Sequence, residues 1–248
     1  MIPKVIHYCW FGKQPLDKKV ISNIRSWKKY CPDYEIIQWN ESNFDIKKYQ
    51  FAFEAYTKKQ WAFVSDVARL DIIYNNGGFY LDTDVELLSS LDNFTKDKVF
   101  LAREDKYSIA TGLGFGAEIN DEFILCNLSE YQDKHFINSD GTLNKIICVD
   151  ITTHLLSLLK IKPSNKVQKV KEIKIYPREY FCPMRISSGK VVITKNTVSI
   201  HHYSASWKSK EDSSSKNYLI PIKKMIKFYT DRLLGFGTYN HIKQLLKK

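Results

Sequence analysis

Apolar residues alternate weakly from Lys4 to Tyr8, the pattern of a buried first strand, which ends at Cys9-Trp10-Phe11-Gly12. Between Leu16 and Tyr30, Val20, Ile24 and Trp27 fall on one helical face, and Cys31-Pro32-Asp33 breaks that helix. Tyr34 to Trp39 reads as a second strand. Strand, helix and strand in that order predict a βαβ unit and hence an α/β sheet. Phe51 to Asn75 is mostly helical in pattern, and Gly77 is placed to cap its end. The next strand carries Gly78-Phe79-Tyr80-Leu81-Asp82-Thr83-Asp84. Phe100 to Arg103 and Gly112 to Ala117 predict further strands or glycine-rich connections, and Ile146 to Leu159 another helix. Lys171 to Tyr176 and Val191 to Ile200 predict late strands, and Lys208 to Asn217 a polar, serine-rich loop. No internal repeat or linker interrupts this order.

The last segment has its own character. Ile222, Met225, Ile226 and Tyr229 follow helical spacing among lysines, and Ile242, Leu245 and Leu246 resume the pattern after Gly235 and Gly237. Two units are therefore expected: one domain over residues 1–217 and a basic amphipathic tail over 218–248. Such a tail can lie on an anionic membrane leaflet or pack on the domain with its lysines in water.

With 248 residues, 44% of them hydrophobic and 14% aromatic, the chain can bury a sizeable core and is not a disordered segment. No apolar run approaches the roughly 18 residues of a membrane span. The N-terminus lacks a signal-peptide layout, and the five cysteines are scattered without a Cys-x-x-Cys pair. Zinc and a disulfide framework are disfavoured, and a cytoplasmic protein is expected, peripheral on the inner face of the plasma membrane if the tail binds it. The net charge of +11 calls for an anionic partner.

In an extended strand Asp82 and Asp84, two apart, leave on the same face, where two carboxylates suit a hard divalent cation that can grip a diphosphate. Tyr80 shares that face and could stack on or hydrogen-bond a nucleotide. Asp66 and Arg69 share a helix face, where the bland alternative is a surface salt bridge worth a few tenths of a kcal/mol. Trp10 stands at the end of the first strand, as core packing or as a base-stacking ring. Glu104 and Asp105 precede Thr111-Gly112-Leu113-Gly114, whose glycines allow close backbone approach, or form an ordinary turn. His201 and His202 follow a predicted strand, so only one of them points inward, and the offset from Trp207 slightly favours His202.

Four blocks stand in order: Ile2-Pro3-Lys4-Val5-Ile6-His7 with Trp10; Ser65-Asp66-Val67-Ala68-Arg69; Tyr74 to Asp84; and His201-His202-Tyr203-Ser204-Ala205-Ser206-Trp207. Together they resemble glycosyltransferase family 32, the sugar-binding regions containing a DXD motif. The resemblance implies a GT-A fold, an α/β domain with a mixed central sheet flanked by helices. It implies retaining transfer from a nucleotide-sugar, such as a UDP-sugar, with Mn2+ or Mg2+. By the same resemblance, Asp84 is the direct metal ligand, Asp82 acts through the ribose or a bridging water, and His201 or His202 completes the metal's shell. Asp66 and Arg69 bind the donor sugar, Trp10 stacks on the base, and Ser206 and Trp207 close over the donor. Trp207 can then donate its indole N–H to the leaving diphosphate, helped by Lys208 and Lys210.

The expected acceptor is a glycan or lipid-linked glycan of capsule or lipopolysaccharide type; a protein acceptor is the alternative. A basic nucleic-acid-binding domain would explain the charge and the aromatics. Two aspartates beside Asp66 would, however, repel phosphates without a cation between them, and no nucleic acid partner is expected.

Overall fold

A computed structural model describes residues 1–184, 189–203 and 220–245, with no account of the side chains of residues 220, 221, 244 and 245. The first βαβ unit forms as its pattern predicts: β1 (Val5–Cys9), α1 (Lys18–Tyr30) and β2 (Glu35–Trp39). Asp17 caps α1 by accepting the Val20 N–H at 2.8 Å, so the helix starts at Lys18. The expected long helix is two, α2 (Gln50–Thr57) and α3 (Trp61–Asn76). The polar Lys58-Lys59-Gln60 separates them, with Lys59 at φ 56° and the Gln60 N–H donating to the Ala55 carbonyl.

Two short strands follow, β3 (Gly78–Tyr80) and β4 (Val85–Leu87). Next come β5 (Val99–Arg103), β6 (Ile109–Ala110) and β7 (Phe115–Ala117), with α4 (Glu122–Ser129) and α5 (Cys148–Leu158). A hairpin of β8 (Gln168–Val170) and β9 (Ile173–Tyr176) precedes α6 (Arg178–Phe181) and β10 (Ser199–His201). The late strand expected from Val191 is confined to β10. Thr194 to Thr197 forms a turn, Thr197 N–H to Thr194 O, that leaves Val191, Val192 and Ile193 exposed with no face to bury. The chain ends in α7 (Ile220–Leu234) and α8 (Thr238–Leu245). The serine-rich stretch 208–217 lies outside the described residues.

The main sheet is mixed, in the order β2-β1-β3-β7-β5-β9-β8 with β6 beside β5. β1 runs parallel to both β2 and β3, and β7 is antiparallel to β3 and β5. Alternate residues feed two apolar cores. Tyr80, Val99 and Leu101 join α2 to α5 on one face, while Phe79, Phe100 and Ala102 join Trp27 and Phe181 on the other. β4 and β10 form a separate antiparallel pair beyond the carboxyl end of β3. Among the described residues no helix is long and apolar enough to cross a membrane.

Candidate active site

The parallel strands β1, β2 and β3 share one carboxyl end, where ligands commonly sit in open α/β sheets. Gly78 starts β3 at φ 94°, where a Cβ would lie 2.8 Å from the Val5 carbonyl oxygen. Contrary to the expected strand, β3 stops at Tyr80. Asp82 and Asp84 lie in a turn closed by the Val85 N–H on the Asp82 carbonyl at 2.9 Å. Their convergence therefore comes from the turn and not from strand alternation. Helix α1 holds the turn from outside: Asn23 Nδ2 donates to the Thr83 carbonyl and Trp27 Nε1 to that of Val85, each at 2.8 Å.

β10 lies antiparallel to β4 with His201 opposite Val85. This register brings His201 Nε2 to 3.1 Å from Asp84 Oδ1. One ligand atom from each of Asp82, Asp84 and His201 lies within 4.8 Å of the others. His202 points away, its Nε2 2.9 Å from Glu86 Oε2 at the surface. The preference for His202 is thus corrected to His201; only one of the pair faces inward, as strand alternation requires.

Asp66 and Arg69 do share a face of α3, but that face is buried, at 7% and 3% exposure. Arg69 Nη2 sits 3.1 Å from both Asp66 Oδ1 and Asp82 Oδ1, and its guanidinium lies 4.9 Å over the Tyr80 ring. The other Asp66 oxygen accepts the Cys148 N–H at 3.1 Å, at the first residue of α5, where a helix N-terminus favours negative charge. The pair is not a surface salt bridge; it forms a buried chain that holds Asp82. Tyr80 is 1% exposed, with its hydroxyl 3.2 Å from Asp82 Oδ1, so it supports the turn from within and has no surface for a base. Trp10 stands at the shared strand end, its indole N–H on the Gln14 carbonyl, beside Lys13, Gln38 and Glu41 in an open cleft. Ser206, Trp207, Lys208 and Lys210 lie outside the described residues.

Withdrawal from water pushes the Asp82 carboxyl up to about 6, against the downward pull of Arg69 and with Asp84 adding to the rise. Burial lowers His201, but its hydrogen bond to Asp84 and the charges of Asp84 and Asp82 outweigh it and leave the imidazole above its ordinary value. Three acidic groups thus face one arginine and one imidazole. The set of two carboxylates and one imidazole fits a divalent cation.

Gly112 completes the site. A Cβ there would stand 2.3 Å from Asp82 Oδ2 and 2.9 Å from Arg69 Nη1. The glycine admits these charged groups. Gly112→Ala must displace Asp82, so we expect a loss of activity of at least about tenfold, since small misplacements at a catalytic centre are costly. Turnover alongside a thermal melt checks this; an unchanged rate would show that Asp82 tolerates the shift. Sequence reasoning also missed Asn23 and Cys148. Asn23 had a visible signal, a polar residue within the apolar stripe Val20, Ile24, Trp27. Cys148 acts through its backbone N–H, which no side-chain pattern reports.

A mixed sheet that gathers paired aspartates at its carboxyl end defines a GT-A-type α/β protein. Residues 17–101 match the family model described as "Glycosyltransferase sugar-binding region containing DXD motif". That stretch is thus similar to the family that the sequence blocks resemble. Inositol phosphoceramide mannosyltransferase 3 of Schizosaccharomyces pombe is 29% identical over 119 residues, covering 46% of this chain and 33% of that protein. The chain thus spans about a third of the length of the curated relative it matches. Among solved structures, the PaToxG glycosyltransferase superposes with a TM-score of 0.50 at 19% identity, covering 63% of this chain and 69% of that one. At this identity the likeness speaks for the fold alone.

Proposed function

We propose that the protein is a metal-dependent, retaining glycosyltransferase. It moves a hexose from a nucleotide-sugar, with UDP-sugars the first donors and guanosine-diphosphate mannose the second, to a glycan or lipid-linked glycan of capsule or lipopolysaccharide type. The observation that carries this reading is the convergence of Asp82, Asp84 and His201 at the carboxyl end of the sheet, beside a cleft lined by Trp10. Asp84 and His201 would hold Mn2+ or Mg2+ with Asp82, the imidazole leaning toward Mn2+. A cation bound there would stabilise the negative charge that grows on the leaving diphosphate.

The chain's own residues do the positioning. Arg69 and Tyr80 orient Asp82, and α1 fixes the turn through Asn23 and Trp27. Glu104 and Asp105, the carboxylates after β5, are both paired with Lys224, which speaks against either attacking the sugar. This supports front-face substitution. The bond from the acceptor oxygen to the anomeric carbon forms as the bond to the diphosphate breaks, and the hydroxyl proton passes to the departing diphosphate oxygen. A sugar trapped on Glu104 or Asp105 in a mass spectrum would overturn that route.

A thermal-shift screen of nucleotide-sugars with Mn2+ tests the proposal. We expect a UDP-sugar to raise the melting temperature only with metal present, and its slow hydrolysis to stop on chelation. Salt-sensitive gel shifts with DNA or RNA, together with no response to any nucleotide-sugar, would place the protein in another class.

A further inference from the structure

A surface helix of a globular domain normally turns its apolar stripe inward and its charges to water. Helix α7 does the reverse. Lys224 reaches inward to the carboxylates of Glu104 and Asp105, at 2.5 and 2.7 Å, and Lys227 pairs with Asp150 on α5. Phe228 turns in as well, against Tyr107. Beyond Gly235, Phe236 stacks on His154 with ring centroids 4.4 Å apart. The chain then folds back, Asp231 accepting the Tyr239 N–H from α8 at 2.9 Å. The tail is therefore fastened to the domain by its charged side.

Its outward side is apolar. Ile222, Met225, Ile226 and Tyr229 are between 36% and 49% exposed, and Leu233 and Leu234 are 78% and 67% exposed. Apart from Ile222, these residues line one shallow groove along α7. The single acidic residue of the tail, Asp231, is buried, whereas Lys223, Arg232 and Lys243 are exposed. An exposed apolar patch of this kind marks an interaction surface.

The charge pattern selects the partner. A second copy meeting this face through a two-fold axis would set Lys223, Arg232 and Lys243 against the same three cations. An anionic leaflet instead offers acyl chains to the leucines, the interfacial zone to Tyr229, and headgroup phosphates to the cations. We propose that the outward face of α7 and α8 docks on an anionic lipid bilayer, with Lys224 and Lys227 as the struts that hold it to the domain. Docking would therefore fix the orientation of the Asp82–Asp84–His201 centre relative to the leaflet. The proposal does not depend on the sugar-transfer reading, because lipid binding is read without turnover.

The test is cosedimentation of the full chain with vesicles of phosphatidylglycerol and phosphatidylcholine in equal parts, and with phosphatidylcholine alone. We expect binding to the mixed vesicles, weakened by salt, and little to the neutral ones. Replacing Leu233→Asp and Leu234→Asp together should lower the affinity by about tenfold or more, with an unchanged melting temperature. A second variant, Lys223→Glu with Arg232→Glu, keeps the apolar face and should lose the preference for anionic lipid; it carries the test if the leucine variant fails to fold. Equal binding by either folded variant would overturn the proposal, as would wild-type protein indifferent to lipid charge. A dimer in light scattering that the leucine variant dissociates would overturn it too, by assigning the face to a second copy.

Discussion

Replacing Asp84→Ala should lower metal-dependent sugar transfer by about a thousandfold, ~4 kcal/mol of transition-state stabilisation, and leave the fold intact. Asp84 supplies one of the two hard oxygen donors that face His201, so its loss removes both a ligand and a negative charge from the centre. The fold should survive because backbone contacts hold the turn: Val85 N–H on the Asp82 carbonyl, His202 N–H on that of Asp84, and the pairing of β4 with β10. None of these needs the Asp84 side chain. The variant should therefore melt within a few degrees of wild type while its affinity for Mn2+, titrated calorimetrically with UDP present, falls in step with the rate. Asp84→Asn sharpens the result, since it keeps the shape and removes the charge. Full activity in either variant would remove Asp84 from the centre and with it the metal reading.

How much of this was legible beforehand differs between fold and site. The βαβ opening was readable because Val20, Ile24 and Trp27 set a helical period between two apolar runs, and the helix and strands formed where that period placed them. The break at Lys59 was not, because a left-handed residue other than glycine leaves no strong sequence signal. Asp82, Asp84 and a histidine were identifiable, yet the reason for their convergence was not. It depends on where β3 stops and on the register of β10 against β4, a pairing across more than a hundred residues. The same long-range register decided between His201 and His202, which local alternation could narrow to one but not choose. Asp66 and Arg69 were picked out by spacing, but their burial depends on α5 covering them. The tail's period was plain as well, while its direction was set by Glu104, Asp105 and Asp150, far away in sequence.

Burial of the Asp66–Arg69–Asp82 chain leads to the largest expected effect on stability. Arg69→Met keeps much of the side-chain volume and removes the one guanidinium between two carboxylates, each 3.1 Å away. Breaking a buried ion pair by deleting one partner costs about 3–5 kcal/mol, because the remaining charge is left uncompensated. For a chain of this size that lowers the melting temperature by on the order of 10 °C. Two further variants separate charge from packing. Arg69→Lys keeps the charge but not the fork that spans both carboxylates, and should fall between wild type and Arg69→Met. Adding Asp66→Asn to Arg69→Met removes one of the stranded charges and should recover part of the loss. The pH dependence in chelator gives an independent sign. Asp82 is already raised to about 6 in the folded protein, so it binds a proton more readily folded than unfolded, and its contribution to stability falls as pH rises from about 4 through 6. Without Arg69, whose charge opposes that rise, the folded value climbs further and the window extends upward. Lowering the pH from neutral to about 5 should therefore restore more stability to Arg69→Met than to wild type. Urea denaturation at the two pH values measures this directly; parallel curves would mean that Arg69 acts through packing and not through the charges it separates.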